Sequence, residues 1–207
     1  MKINSKSIHS RAASRILVEV IAISALLLAA GAGCAAYSAR PLDFGEDAAS
    51  IVDQREAEGL FVAVKDISRS RESVEYLGKD LLDYGFVPIV LLLELDRNSE
   101  EIFDVRREDI KLCLRSGHHL QSSDPNRVVE AVSSDQNLAM DYSLKALKSI
   151  RVNPNKRSFR RVLFFAVPED LTGKFTMEDA FVELKIYKQG RDGVGGKPIE
   201  FPIHFGR

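Results

Sequence analysis

The stretch Phe86-Val-Pro-Ile-Val-Leu-Leu-Leu-Glu-Leu-Asp96 decides how this chain folds. Successive side chains of a strand point to opposite faces, and here both alternating sets are apolar for most of the length. A half-exposed strand would carry a polar residue at every second position. This one is therefore expected at the centre of a sheet, covered on two sides. Pro88 has no N–H to give to a ladder, a loss that is tolerable near the beginning of a strand.

Upstream, Leu60, Val62 and Val64 alternate with Phe61, Ala63 and Lys65, which predicts a first strand after Gly59. Between the two, Glu72 to Gly85 carries Tyr76, Leu77, Leu81 and Leu82 at helical offsets and ends on glycine, the pattern of a short helix or compact loop. Downstream, Asn98 to Glu101 reads as a turn. Asp109 to Arg115 reads as a half-buried strand, with Ile110, Leu112 and Leu114 inward, Lys111, Cys113 and Arg115 outward, and Ser116-Gly117 closing it. Arg160 to Val167 is again apolar on both sides, and Ala180 to Lys188 turns Ala180, Val182, Leu184 and Ile186 inward. Gln189 to Lys197 is a glycine-rich loop. In the last strand, Ile199 to Phe205, Pro202 falls on the outward set and marks a sheet edge. About seven short strands separated by turn signals predict a β-sandwich. The chain has no Trp, so its core has to hold by aliphatic and Phe packing.

Asp124 to Ile150 breaks the β rhythm. Asp124-Pro125 can cap a helix with Pro in its first turn. Val128, Val129 and Val132 make one apolar face, and Met140, Leu144 and Leu147 make a second at i, i+4 and i+7. The expectation is a helical insertion, a pair of helices packed on one sheet face, ended by Asn153-Pro154-Asn155-Lys156.

The N-terminus has a different character. Met1 to Arg15 is polar and basic, with Lys2, Lys6, Arg11 and Arg15 and no acid; Val20 to Ala30 is apolar; Gly31-Ala32-Gly33 stops against Cys34. That order is a secretory leader. It resembles the bacterial lipobox, in which small residues precede a cysteine that is acylated and exposed by cleavage. The resemblance implies a signal peptide over residues 1–33, cleavage between Gly33 and Cys34, and fatty acyl chains on Cys34. Gly31 stands where such signals usually carry Leu. Ala35, not Asp, follows the cysteine, which by the same resemblance implies sorting to the outer membrane. An uncleaved anchor from Ile16 to Ala36 would need about 20 apolar residues, and Glu19 and the glycines cut this run short. An ordinary secretory signal with a coincidental cysteine is the other alternative. Residues 34–58 are then the acylated N-terminus and a tether; as a flexible coil, about 24 residues have a root-mean-square reach of roughly 25–30 Å. The folded domain is expected over residues 59–207.

Removing Lys2, Lys6, Arg11, Arg15 and Glu19 with the leader takes 29 basic and 30 acidic side chains to 25 and 29, a formal charge of −4. That mixed, mildly acidic surface argues against nucleic acid, which demands a concentrated basic stripe. With Cys34 acylated, Cys113 has no disulfide partner and is expected as a packed structural thiol. Gly190-Arg-Asp-Gly-Val-Gly-Gly-Lys197 fails as a phosphate loop, because Arg191 and Pro198 stand where Gly and Ser or Thr are needed. His118 and His119 are adjacent, so on an extended segment they point apart and cannot easily share one ion; no metal site is expected. No Gly-x-Ser-x-Gly turn is present, and Asp80 and Asp83 read as exposed positions of a short helix.

Tyr76-Leu-Gly-Lys-Asp-Leu-Leu-Asp-Tyr-Gly-Phe-Val-Pro-Ile89, followed by a strand and an Asn-x-x-Glu turn, is similar to a motif in bacterial lipoproteins that are largely uncharacterised. Phe103-x-Val105, Asp109-Ile110-x-Leu112 and Phe164-x-Ala-Val-Pro-Glu-Asp170 resemble strands of immunoglobulin-like domains in secreted bacterial proteins. The resemblance covers roughly residues 59–205, apart from the insertion. It implies a mainly β, immunoglobulin-like β-sandwich of about seven strands with a helical insertion at about 124–150, after a signal peptide and tether. The expectation for function is a lipid-anchored envelope protein facing the periplasm. It would be a non-catalytic binding or structural module with no catalytic residues and no cofactor, contacting the membrane through acyl chains and an envelope protein partner. Candidate interaction residues are His118 and His119 in the 116–126 loop and Arg191 in the 189–198 loop, with the outer face of the helices beside them. Two alternatives stand: an accessory subunit of a secretion or transport machine docking through the insertion, and an envelope hydrolase gathering His118, His119 or His204 from separate loops.

Overall fold

The computed structural model describes residues 41–42, 54–132, 136–171, 173–190 and 195–205. The leader, Gly33, Cys34, most of the expected tether and Arg191 lie outside the described residues.

The deciding stretch is a strand over Phe86–Leu95 (β3), and every residue of it except Glu94 is buried. It lies in an antiparallel sheet with β1 (Gln54–Ala57), β2 (Leu60–Asp66) and β7 (Ser158–Ala166), in the order β1-β2-β3-β7. Pro88 fits because its carbonyl accepts the Ile67 N–H at 3.3 Å, so its missing donor faces the side on which β2 has just ended. The second sheet runs β5 (His119–Gln121), β4 (Phe103–Cys113), β8 (Phe181–Gln189), β9 (Gly195–His204). Strand β6 (Ser149–Val152) also pairs β4, at Phe103 to Arg106, while β5 pairs it at Lys111 to Cys113. Since β8 takes the other edge of β4, β5 and β6 share one edge end to end.

The two sheets face each other as a sandwich, with the chain crossing between them after β3, after β6 and after β7. The core between the sheets takes Val62, Val87, Ile89, Leu91, Phe165 and Leu163 from one side and Phe103, Ile110, Leu112, Val182 and Leu184 from the other. As the absence of Trp requires, it is aliphatic and Phe.

The opposite face of the first sheet is covered as well. Val90, Leu92, Val162 and Phe164 point away from the inter-sheet core and are still buried. Above them lie helices α1 (Ser70–Leu77), α2 (Pro125–Val132) and α3 (Gln136–Lys145). The Tyr142 ring stands 5.8 Å from that of Phe164, and its hydroxyl donates to the Leu77 carbonyl at 2.8 Å, tying α3 to α1. This second apolar layer is why β3 and β7 read as apolar on both faces. No helix among the described residues is long and apolar enough to cross a membrane.

Several boundaries differ from expectation. Nine strands are described where about seven are predicted. β1 occupies the end of the expected tether, β5 lies in the expected 116–126 loop and β6 begins inside the expected insertion. All three are three or four residues long, too short to show a period. β4 begins at Phe103, six residues early, because a bulge between Val105 and Ile110 breaks the alternation across Arg106 to Asp109. The Glu72–Gly85 segment divides. Gly78, with φ 73°, stops α1, buried Ser73 ties its hydroxyl to Lys79 O and its oxygen to the Leu81 N–H, and a 3-10 turn follows at Leu82–Tyr84.

Candidate functional site

The second half of β7 is closed by passing backbone. Ser123 N–H donates to Phe164 O at 2.6 Å, and Leu147 N–H to Val162 O at 2.9 Å. Beside its first half a cavity of about 770 Å³ opens against α3. Lys156, Phe159, Arg160 and Arg161 line it from β7 and the preceding turn, Leu144 and the Asp141–Lys145 pair from α3, and Pro41–Leu42 from the start of the domain. Leu42 is itself buried.

Local sequence explains each contribution. Asn153 and Lys156 close a tight turn by exchanging backbone hydrogen bonds, which swings Lys156 over the Phe159 ring at 4.8 Å. The Arg161 guanidinium lies 5.8 Å from the same ring, and its Nη1 donates to Arg160 O at 2.7 Å. On α3, Lys145 Nζ bonds Asp141 Oδ2 and Tyr76 O, both at 2.6 Å, so this i,i+4 pair is buried and satisfied. Lys156, Arg160 and Arg161 add basic side chains to the cavity wall beside the Asp141–Lys145 pair. Burial, helped by the Asp141 carboxylate and by Tyr84, pushes the Tyr142 phenol well above its ordinary value, so it stays a hydrogen-bond donor.

The face of α3 is a correction. Met140 and Leu144, expected to pack inward, are each 65% exposed, while Leu138, Asp141, Tyr142 and Lys145 are buried. The pattern misleads because Tyr142 brings both an aromatic ring and the donor that Leu77 O requires, and the lysine is carried inside by its aspartate.

The predicted histidines sit at the far end of the second sheet. His118 Nδ1 lies 2.9 Å from Ser116 Oγ, and His118 Nε2 lies 3.4 Å from Asp170 Oδ2. This order of contacts is that of an acyl-transfer relay. The hydroxyl, however, is two residues away in the same turn, Asp170 is mostly in water, and the adjoining recess between Leu114 and Phe175 holds only about 60 Å³. Substrate sites run to several hundred cubic ångströms. His119 faces Cys113 across the β4–β5 pair, with Nδ1 3.2 Å from Sγ. The row continues across the sheet to Phe181 and His204, whose rings are 5.0 Å apart. Cys113 is buried, as a structural thiol should be, although it sits on the outward set; His119 and Phe181 flank it. Burial raises its pKa, the Glu183 carboxylate adds to that, and Lys111 opposes it, so the dyad does not make a thiolate. Among the described residues no three His, Cys, Asp or Glu side chains come together as metal ligands. Asp80 and Asp83 lie around the 3-10 turn, where Asp80 accepts the Leu82 N–H at 3.2 Å.

Sequence reading missed Lys156, Arg160 and Arg161. The Arg160-Arg161 step at the mouth of an otherwise apolar strand was the available signal. The fold thus defines a mainly β sandwich with a helical layer on one face and a cavity lined by basic and apolar side chains at that layer's rim. No protein-family model matches the chain, and no curated protein matches it.

Proposed function

We propose that this chain is a lipid-anchored protein of the bacterial cell envelope, held at the outer membrane by acyl chains on Cys34, and that its sandwich is a non-catalytic binding module. The anchor rests on the basic start, apolar run and small-residue exit before Cys34. The binding role rests on one observation, the 770 Å³ cavity at α3 and β7, which sets basic side chains, Lys156 and Arg161 among them, beside Leu42, Leu144 and Phe159. A few convergent charged groups on an apolar wall are what an anionic amphiphilic ligand needs. The hydrolase alternative draws less support, because the recess beside the Ser116–His118–Asp170 contacts holds only about 60 Å³.

Mass analysis of the protein from its own bacterium, joined to crosslinking in the intact cell, tests both halves. The expected product begins at Cys34, carries acyl chains, and crosslinks from residues around Leu144 and Arg161 rather than from the 116–126 loop. An intact Met1 or an unmodified Cys34 removes the anchor. Crosslinks confined to the histidine end remove the cavity as the binding site.

A further inference from the structure

We infer that the cavity takes a single-chain amphiphile with one anionic head, its carboxylate or phosphate held by Lys156 and Arg161 and its hydrocarbon chain laid over Leu42, Leu144 and Phe159. This rests on the cavity being the binding site, as proposed above. It adds the ligand's class and orientation, and it does not depend on Cys34.

Charge places the head. Lys156 Nζ lies 4.8 Å and Arg161 Cζ 5.8 Å from the centroid of the same Phe159 ring, so the two charges stand no further apart than those distances laid end to end. Among the described residues neither meets a carboxylate. Lys156 keeps to the Phe159 ring, and Arg161 gives Nη1 to Arg160 O at 2.7 Å. The ammonium and the rest of the guanidinium are left as donors. Both side chains are held before a ligand arrives: Phe159 is buried, and the Asn153 side-chain oxygen accepts the Asn155 and Lys156 N–H groups, which fixes the turn that carries Lys156. Two cations beside one ring repel each other. An anion bridging them removes that cost and gains charge-assisted hydrogen bonds. Arg160, Asp141 and Lys145 hold partners of their own, so the head site is the Lys156–Arg161 pair.

Size sets the tail. With on the order of 30 Å³ for each non-hydrogen group, the share of one molecule in liquid water, a cavity of about 770 Å³ seats roughly 25 such groups. That is one acyl chain with its head; a two-chain phospholipid is far larger. Leu42 and Phe159 are buried and Leu144 is exposed along the same wall, a half-covered apolar track beside the cations. The backbone argues against a peptide. Val162 and Phe164 turn their carbonyls away from β3, where Leu147 and Ser123 take them, and by the alternation of the ladder Arg160 turns its carbonyl the same way. Arg161 already occupies that carbonyl, so a strand laid along the first half of β7 would lose the hydrogen bond that seats it. A small amphiphile needs no such bond.

Photolabelling tests this on the full-length protein mixed with phosphatidylcholine vesicles. The probes are single chains bearing a diazirine, with a carboxylate head, a phosphate head (lysophosphatidic acid) or an uncharged alcohol; a two-chain phosphatidylglycerol carries the same photoreactive chain. Labelled segments are read by peptide mass spectrometry. The carboxylate or phosphate probe should label the segments of Leu42, Leu144 and Phe159 at least about fivefold more than the alcohol does. Whichever anion labels more strongly names the source of the head. Lys156→Gln combined with Arg161→Gln should bring the anionic probes down to the level of the alcohol, with the thermal melt unchanged. The comparison of heads is made on the parent protein, so it decides the matter even if the double variant does not fold. An equal yield from the alcohol, or full labelling of a folded double variant, overturns the head site and leaves the cavity as a binding site. Labelling by phosphatidylglycerol as strong as by the single chains overturns the single-chain assignment. If no probe labels the cavity segments, this inference and the cavity's binding role fall together.

Discussion

Tyr142 is the residue on which the helical layer turns. Its ring fills space against Phe164 and its hydroxyl satisfies the Leu77 carbonyl, which would otherwise be buried without a donor. Tyr142→Phe keeps the ring and should lose about 1–2 kcal/mol in urea unfolding, most of it the cost of the stranded carbonyl. The same residue sets an alkaline limit. In the unfolded chain the phenol ionises near its ordinary value of 10.0, while in the folded chain it holds its proton well above that. The unfolded state then binds fewer protons, so stability is unaffected below about pH 10 and falls as the pH rises beyond it. Tyr142→Phe should flatten that alkaline limb in a melting series from pH 8 to 11. Cys113 follows the same sign with a thiol: buried and with its pKa raised, it should react with maleimide at pH 8 more than about tenfold more slowly in the native protein than in urea.

At the scale of elements, α3 shows where sequence patterning stops being informative. The apolar periods of β3, β8 and the strand in Asp109–Arg115 were legible because alternation is a direct consequence of sheet burial. The helix carries two competing stripes, Met140/Leu144 and Leu138/Tyr142, and hydrophobicity alone prefers the wrong one. What decides is a hydrogen bond from Tyr142 to the Leu77 carbonyl, 65 residues away, and one from Lys145 to the Tyr76 carbonyl, 69 residues away, with the i,i+4 Asp141–Lys145 pair balancing the buried charge. The cavity was illegible for a related reason, since Leu42, Leu144 and Arg161 meet only when three separate elements converge. Thermal or urea unfolding checks the assignment of faces. Leu138→Ala should cost about 2–4 kcal/mol, and Met140→Gln should stay within about 0.5 kcal/mol of the parent. Equal losses at both positions would return Met140 to the core. For the ion pair, Lys145→Met should cost about 3–5 kcal/mol because it removes the buried counter-ion of the Asp141 carboxylate. Asp141→Leu combined with Lys145→Met should recover most of that, with about 1–2 kcal/mol remaining for the lost hydrogen bond to the Tyr76 carbonyl.

For the whole molecule, the helices are part of the fold and not an ornament on a self-sufficient sandwich. If residues 124–150 were only a docking element, they could be removed while the sheets stay folded. The structure argues against that. Phe164 and Val162 are buried on the face of β7 that points away from the other sheet, and Tyr142 is the ring against Phe164. Leu147 and Ala146, from the same segment, complete the edge of β7 by hydrogen bonding and bridging to Val162. Deleting residues 124–147 and closing the gap with a Gly-Ser linker would open an apolar surface of several large side chains, each worth about 1.5–3 kcal/mol when covered, and would free a strand edge able to pair with another chain. Domains hold only about 5–15 kcal/mol in total. The deletion should therefore yield protein that aggregates or binds a hydrophobic dye at room temperature, measured by size exclusion and dye fluorescence. A monomeric, cooperatively melting deletion product would mean that the outer face of the first sheet finds its cover elsewhere.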